Sequence, residues 1–123
     1  MLPARLRMRS SAEFRATIST GRKIRRSTLM LYVAEPSAET VATTAIGPRV
    51  GLVVGRNVGN AVQRNRVKRR LRHGAARLLQ EQPSEARFVI RAFPAAAGRP
   101  ERLIEDLSSA WHAGLTDKNR SRP

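Results

Sequence analysis

Side chains suited to acid–base or metal chemistry are few in this sequence, and they are scattered. There is no cysteine, and the two histidines, His73 and His112, fall in separate predicted helices. Glu101, Glu105 and Asp106 recur on what reads as the solvent side of a helix, where solvation is the expected role. A protein nuclease needs carboxylates grouped around Mg²⁺ or histidines placed as acid and base, and neither grouping is present. What the sequence does concentrate is positive charge.

Lys and Arg total 24 against nine Asp and Glu, a net charge of +15 that far exceeds what solubility requires and implies a polyanionic partner. Residues 1–80 carry 17 basic and three acidic side chains, whereas residues 81–123 carry seven and six, so the binding face belongs to the first two thirds. Only Lys23, Lys68 and Lys118 are lysine. Arginine grips phosphate with a planar fork and stacks on bases, which favours RNA over a membrane surface, although codon bias in a GC-rich genome is an equally open explanation.

The densest run lies on a predicted helix that opens at Gly59 and the N-cap Asn60, runs from Ala61 to about Gln80, and stops before Pro83. At 100° per residue, Asn60, Val67, Leu71, Gly74, Ala75 and Leu78 share a narrow apolar arc that must pack on a sheet. Measured from Val67, Arg64, Lys68, Arg72, Asn65 and Arg69 fall at roughly 60°, 100°, 140°, 160° and 200°, one continuous basic flank. Arg66, Arg70, His73 and Arg77 take the opposite flank. A charged helix face is usually stitched by opposite charges, but no acid lies between Glu39 and Glu81. Repulsion between Arg64 and Lys68, and between Lys68 and Arg72, costs a few tenths of a kcal/mol per pair, which a nucleic acid would relieve.

The elements that position this helix follow from spacing. Ser10-Ser11-Ala12-Glu13 has the form of a capping box before a helix of about ten residues, with Phe14, Thr17 and Ile18 at helical spacing and Gly21 at the left-handed cap position. Arg22, Lys23, Arg25 and Arg26 form a basic patch leading into a strand over residues 28–34, whose alternation puts Met30 and Tyr32 on one face. Further strands are expected at residues 49–54 and 86–92, and a last helix from Pro100 to Ala113 docks through Leu103, Leu107, Ala110 and Trp111. Residues 1–9, the connection 35–48 and the tail 115–123 read as flexible. The order helix, strands, helix, strand, helix makes a single α+β domain, a two-layer α-β sandwich. No apolar stretch reaches the roughly 18 residues of a spanning helix, nor does the N-terminus read as a signal peptide, so an intracellular protein without a membrane role is expected.

The string Val58-Gly59-Asn60-Ala61-Val62-Gln63-Arg64-Asn65-Arg66-Val67-Lys68-Arg69, with Arg72 a turn later, resembles the signature of the bacterial ribonuclease P protein family. The Glu13-Phe14 helix and the strands at Leu31-Tyr32, Val50-Gly51-Leu52 and Phe88-Val89-Ile90 fall in that family's order. The resemblance implies a ribosomal-protein-like sandwich with a left-handed β-α-β crossover from the Val50 strand through the motif helix to the Phe88 strand. It assigns Arg64, Asn65, Arg66, Lys68, Arg69 and Arg72 to the catalytic RNA subunit, with Arg56 and Arg70 as additional basic contacts. The wheel groups five of those six independently. A cleft floored by Phe14, Ile18, Met30 and Tyr32 would take the single-stranded 5′ leader of precursor tRNA; ordinary core packing is the competing role for these four, and Ile18 offers an apolar contact where the family often has an aromatic ring. Endonucleolytic removal of the leader would be carried by the RNA and by Mg²⁺ bound mainly to RNA and substrate, in the cytoplasm and without an obligate protein partner.

Two other classes share parts of this pattern. A basic ribosomal protein would match in size and charge but should lack the Gly59-to-Arg72 string. A helix-turn-helix DNA binder would place its basic helix after a partner helix, whereas here it follows a strand.

Overall fold

Leu29, Leu31 and Val33 alternate with Met30, Tyr32 and Ala34, and this period of two decides which layer each side of the sheet must meet. The structure is a computed structural model that describes residues 2–8, 10–35 and 48–116. Its four-stranded sheet has the order β1-β2-β4-β3, from β1 (Arg22–Arg25), β2 (Leu29–Ala34), β3 (Arg49–Val53) and β4 (Arg87–Ala92). Three helices complete it: α1 (Ser11–Thr20), α2 (Ala61–Glu81) and α3 (Pro100–Thr116). The expected α+β sandwich is therefore present. The strand β1 is an addition, because a four-residue run with one buried side chain, Ile24, shows its charges and hides its period.

One face carries the main core. Leu29, Leu31 and Val33 of β2 stand opposite Ala92, Ile90 and Phe88 of β4. They are covered by Val67, Leu71, Ala75 and Leu78 of α2 and by Leu103, Leu107, Ala110 and Trp111 of α3, all buried. Trp111 stacks on Phe88 with ring centroids 3.9 Å apart, a contact worth about 1 kcal/mol beyond the area it buries. Gly74 lets the two helices close on each other, since a Cβ there would sit 2.7 Å from Leu107 Cδ2. The other face holds a smaller cluster of Met8, Tyr32 and Val89, with Phe14, Ile18, Met30 and Val53 packed against it beneath α1.

Strands β3 and β4 are parallel neighbours joined through α2, and Val50 fixes the hand of that crossover. Its side chain is buried in the α2-side core, while its carbonyl accepts a 2.9 Å hydrogen bond from Met8 N–H on the edge away from β4. In a strand running upward, an L-residue whose side chain faces the viewer directs its own N–H and C=O to the right. Seen from α2, the N-terminal segment thus lies right of β3 and β4 lies left. The connection is left-handed, the rare hand for such units.

Several expectations need correction. Residues 2–8, read as part of a flexible 1–9, are packed: Leu2 and Met8 are buried, Ala4–Leu6 forms a 3-10 turn, and Arg7 bridges to Val50. The connection 35–48 lies outside the described residues from 36 to 47, as does the tail from 117 to 123, while Leu115 and Thr116 still belong to α3. Gly21 is extended, with φ −77°, and its requirement is space: a Cβ would meet Thr17 O at 2.5 Å. Only half of the first capping box forms. Ser10 Oγ accepts from Glu13 N–H at 3.4 Å, but the Glu13 carboxylate turns to Arg87, 3.0 Å away.

Asp106 does not face solvent with Glu101 and Glu105 either. It is 5% exposed, and its Oδ2 accepts from Thr28 N–H at 3.1 Å, Thr28 Oγ1 at 2.7 Å and Ser27 Oγ at 3.1 Å. The carboxylate thereby ties α3 to the β1–β2 turn. Burial pushes its pKa up, but the Thr28 and Ser27 hydrogen bonds and the nearby Arg102 guanidinium outweigh that and leave it lowered. A lowered folded pKa means that the contribution is complete above the unfolded value of about 4 and is lost as pH falls through the folded value. Asp106→Asn is therefore expected to cost about 1 to 3 kcal/mol in urea unfolding at pH 7. The gap from wild type should narrow below pH 4, and a pH-independent gap would contradict this role.

Candidate nucleic-acid interface

The basic helix is aimed by its first turn. Gly59 sits at φ 154°, a backbone conformation that side chains disfavour, and releases the chain from the Arg56–Val58 3-10 turn into α2. A reciprocal capping box then closes the end: Asn60 Oδ1 accepts from Gln63 N–H and Gln63 Oε1 accepts from Asn60 N–H, each at 2.9 Å. Arg64 Nη1 donates to Gly59 O at 2.8 Å. Arg64, assigned from sequence to RNA, therefore also braces the turn that sets the helix direction.

The other members of the row are free of acids. Among the described residues the ion pairs are Arg22–Glu35, Arg77–Glu81, Arg87–Glu13 and Arg102–Asp106, and none involves Arg56, Arg64, Arg66, Lys68, Arg69, Arg70 or Arg72. Asn65, Arg66 and Arg69 are exposed on α2, Arg56 is exposed before it, and Arg70 is half-buried on the far flank. Lys68 and Arg72 line a groove of about 230 Å³ with Arg7, Met8, Phe14 and Leu52, where α2 meets the N-terminal segment.

The four residues expected to floor a cleft are brought together. Tyr32 is buried at its base and Phe14, Ile18 and Met30 are partly buried around it, on the sheet face opposite α2. Phe14 lies directly over β3, which Gly51 permits, since a Cβ there would meet the ring at 2.5 Å. Next to this cluster opens a cavity of about 380 Å³ lined by Arg25, Met30, Tyr32, Val53, Asn57, Arg91 and Phe93, among others.

Arg91 and Phe93 escaped the sequence reading, and Arg25 entered it only as one of a basic patch, not as a neighbour of the cleft. In register Met30 is flanked by Arg25 of β1 on one side and Arg91 of β4 on the other, so two guanidinium groups border the apolar floor. Arg25 lies 4.7 Å from the centre of the Phe93 ring, a cation–π contact. For Arg91 the usable signal was period two, since its strand neighbours Ile90 and Ala92 enter the core, whereas β1 buries only Ile24 and gives no such signal for Arg25.

No three His, Asp or Glu side chains converge among the described residues, and His73 and His112 are exposed on α2 and α3. Nor is any described helix long and apolar enough to cross a membrane.

The sequence model of the family Ribonuclease P matches residues 2–113. A ribonuclease P protein component from Corynebacterium diphtheriae is 42% identical over 123 residues, covering 99% of this chain and all of that protein. Another from Mycobacterium sp. strain KMS is 48% identical over 111 residues, covering 89% and 90%. Among solved structures, a Staphylococcus aureus RNase P protein superposes with a TM-score of 0.68 at 19% identity, covering 90% of this chain and 93% of that one. The RNase P protein from Thermotoga maritima gives 0.65 at 19%, covering 95% and 98%. The motif over Gly59 to Arg72, the strand order and these relatives agree, which sets the ribosomal-protein alternative aside: the chain belongs to the ribonuclease P protein family.

Proposed function

We propose that this chain holds the catalytic RNA with α2, takes the single-stranded 5′ leader of precursor tRNA on the opposite face of the sheet, and leaves the cutting to the RNA. The observation that carries this reading is the row of α2 cations without acidic partners on a rigidly capped helix. Arg64, Asn65, Arg66, Lys68, Arg69 and Arg72 would meet the RNA backbone, with Arg56 and Arg70 as further contacts. The cleft of Phe14, Ile18, Met30 and Tyr32 would take leader bases, and Arg25 and Arg91 would neutralise their phosphates.

The reaction is hydrolysis of one phosphodiester, releasing the leader and leaving a 5′-phosphate on the tRNA. Mg²⁺ supplies a Lewis acid and an activated water for such chemistry. Among the described residues no three carboxylates or histidines gather to hold that ion: Asp106 is engaged by Thr28 and Ser27, Glu13 by Arg87, and Glu101 and Glu105 stand apart and exposed on α3. Mg²⁺ therefore belongs on phosphates of the RNA subunit and substrate. The protein's share is placement and charge. It draws precursor over mature tRNA through the leader, and by screening phosphate repulsion it lowers the Mg²⁺ concentration that the RNA needs. A cytoplasmic ribonucleoprotein without an obligate protein partner suits the absence of cysteine and the charge.

Two measurements test the two surfaces separately. Replacing Lys68 and Arg72 by Ala should weaken binding to the catalytic RNA at least tenfold and make the salt dependence shallower by about two. Unchanged affinity and slope would refute the assignment of α2. Replacing the exposed Arg25 and Arg91 by Ala should weaken the holoenzyme's binding of precursor tRNA roughly tenfold at constant salt while mature tRNA binding and RNA assembly hold. Equal losses for precursor and mature tRNA would remove the leader from this face.

A further inference from the structure

We propose that the flank of α2 turned away from Lys68 and Arg72 forms, with Ile104 of α3, a second RNA-docking groove, so that α2 is held between two separate segments of the catalytic RNA. This rests on the reading that α2 binds that RNA, and adds a second surface and a second strand to it.

The groove measures about 420 Å³ and is lined by Arg69, Arg70, His73, Gly74, Arg77 and Ile104. Its charge is unanswered. Arg77 alone of this group forms an ion pair among the described residues, with Glu81 at 3.8 Å, and both side chains are more than half exposed, so water and salt reduce the pair to little. Glu101 and Glu105 are exposed on α3, but among the described residues they form no ion pair with these cations. The floor is apolar and recessed, because Gly74 has no side chain and Ile104 is half-buried beside it. Val62 stands 58% exposed on the same side of α2, a turn before Arg66, and is the one large apolar side chain so exposed among the described residues. Apolar patches beneath paired guanidinium groups suit unpaired nucleotides, whose bases and riboses rest on carbon while arginine forks grip the phosphates.

Geometry then demands two strands. On the helical wheel Arg64, Lys68 and Arg72 centre at about 100° from Val67, and Arg66, Arg70, His73 and Arg77 at about 270°, with Arg69 on the ridge between them at about 200°, so the centres of the two flanks point about 170° apart. A helix about 10 to 12 Å across separates them. A helix lying in one duplex groove could touch phosphates on both sides, but the major groove of A-form RNA is too deep and narrow to admit it. Cations on both flanks are therefore served by two RNA segments, with α2 wedged between them.

The absence of cysteine makes the test direct, since one introduced thiol is unique. Fe(II)-EDTA tethered at Ala61→Cys, on the first flank, and at His73→Cys, in the groove, is used to cleave the catalytic RNA in the holoenzyme with precursor tRNA bound. The expected result is two sets of cuts in the catalytic RNA, far apart in its sequence. Arg70→Gln with Arg77→Gln should weaken RNA binding roughly tenfold, reduce the salt slope by about two, and leave the thermal unfolding and the position-61 cuts in place. Cuts from position 61 with none from 73, cuts from 73 confined to the tRNA, or one shared set of cuts would overturn the second groove and leave the proposed function standing. Loss of cuts from both positions would overturn that function as well.

Discussion

A helix that carries unpaired cations along most of its circumference must be held in place by something other than its surface. In α2 the like charges at i,i+4 spacing oppose the helix by a few tenths of a kcal/mol each. Against this stand Val67, Leu71, Ala75, Leu78 and Leu79, buried on the sheet and α3. The Val and Leu side chains contribute about 1.5 to 3 kcal/mol apiece when buried fully. Burial wins by a wide margin. The reciprocal Asn60–Gln63 cap adds about 1 kcal/mol where the charges begin. The cationic rows are thus formed before any RNA arrives, and binding carries no cost of helix ordering.

The acids are placed consistently with that field. Glu13 is drawn beneath α1 to Arg87, and Asp106 is drawn into the β1–β2 turn, so two of the few carboxylates neutralise structural partners away from α2. Each also joins layers: Glu13 fastens α1 to β4, and Asp106 fastens α3 to the start of β2. Negative charge serves cohesion here, while positive charge is left for contact.

The sequence made some of this legible and concealed the rest for physical reasons. The α2 stripe was readable because nearly six turns of a regular helix repeat one pattern and a long apolar arc admits one orientation. Met30 and Tyr32 were placed on one face by simple alternation, and both lie in the smaller cluster. Asp106 was misplaced because a wheel reports which side of a helix a residue occupies, but the β1–β2 turn wraps around that side and brings hydroxyls and an N–H to it. Glu13 fits a capping box locally, yet Arg87 lies 74 positions away in sequence and wins the carboxylate through a contact no local pattern contains. Arg25 and Arg91 were hidden in the same way, since only strand register brings them to either side of Met30. The hand of the crossover has no signature in periodicity at all; it is written in which edge of β3 the Met8 N–H occupies.

That edge has one more implication. An open sheet offers two unpaired rows of backbone groups to any neighbouring molecule. Here β3 is covered along its outer side by Arg7 and Met8 of the same chain, whereas β1 at the far side keeps Lys23 and Arg25 as its exposed side chains. Among the described residues one border is closed by a strap, and the other presents no such strap but a pair of like charges. Repulsion fades within about 8 Å at physiological ionic strength and sooner in concentrated brine. Self-association of this molecule, where it occurs, will therefore begin at β1 and grow with added salt, the opposite response to that of its grip on RNA.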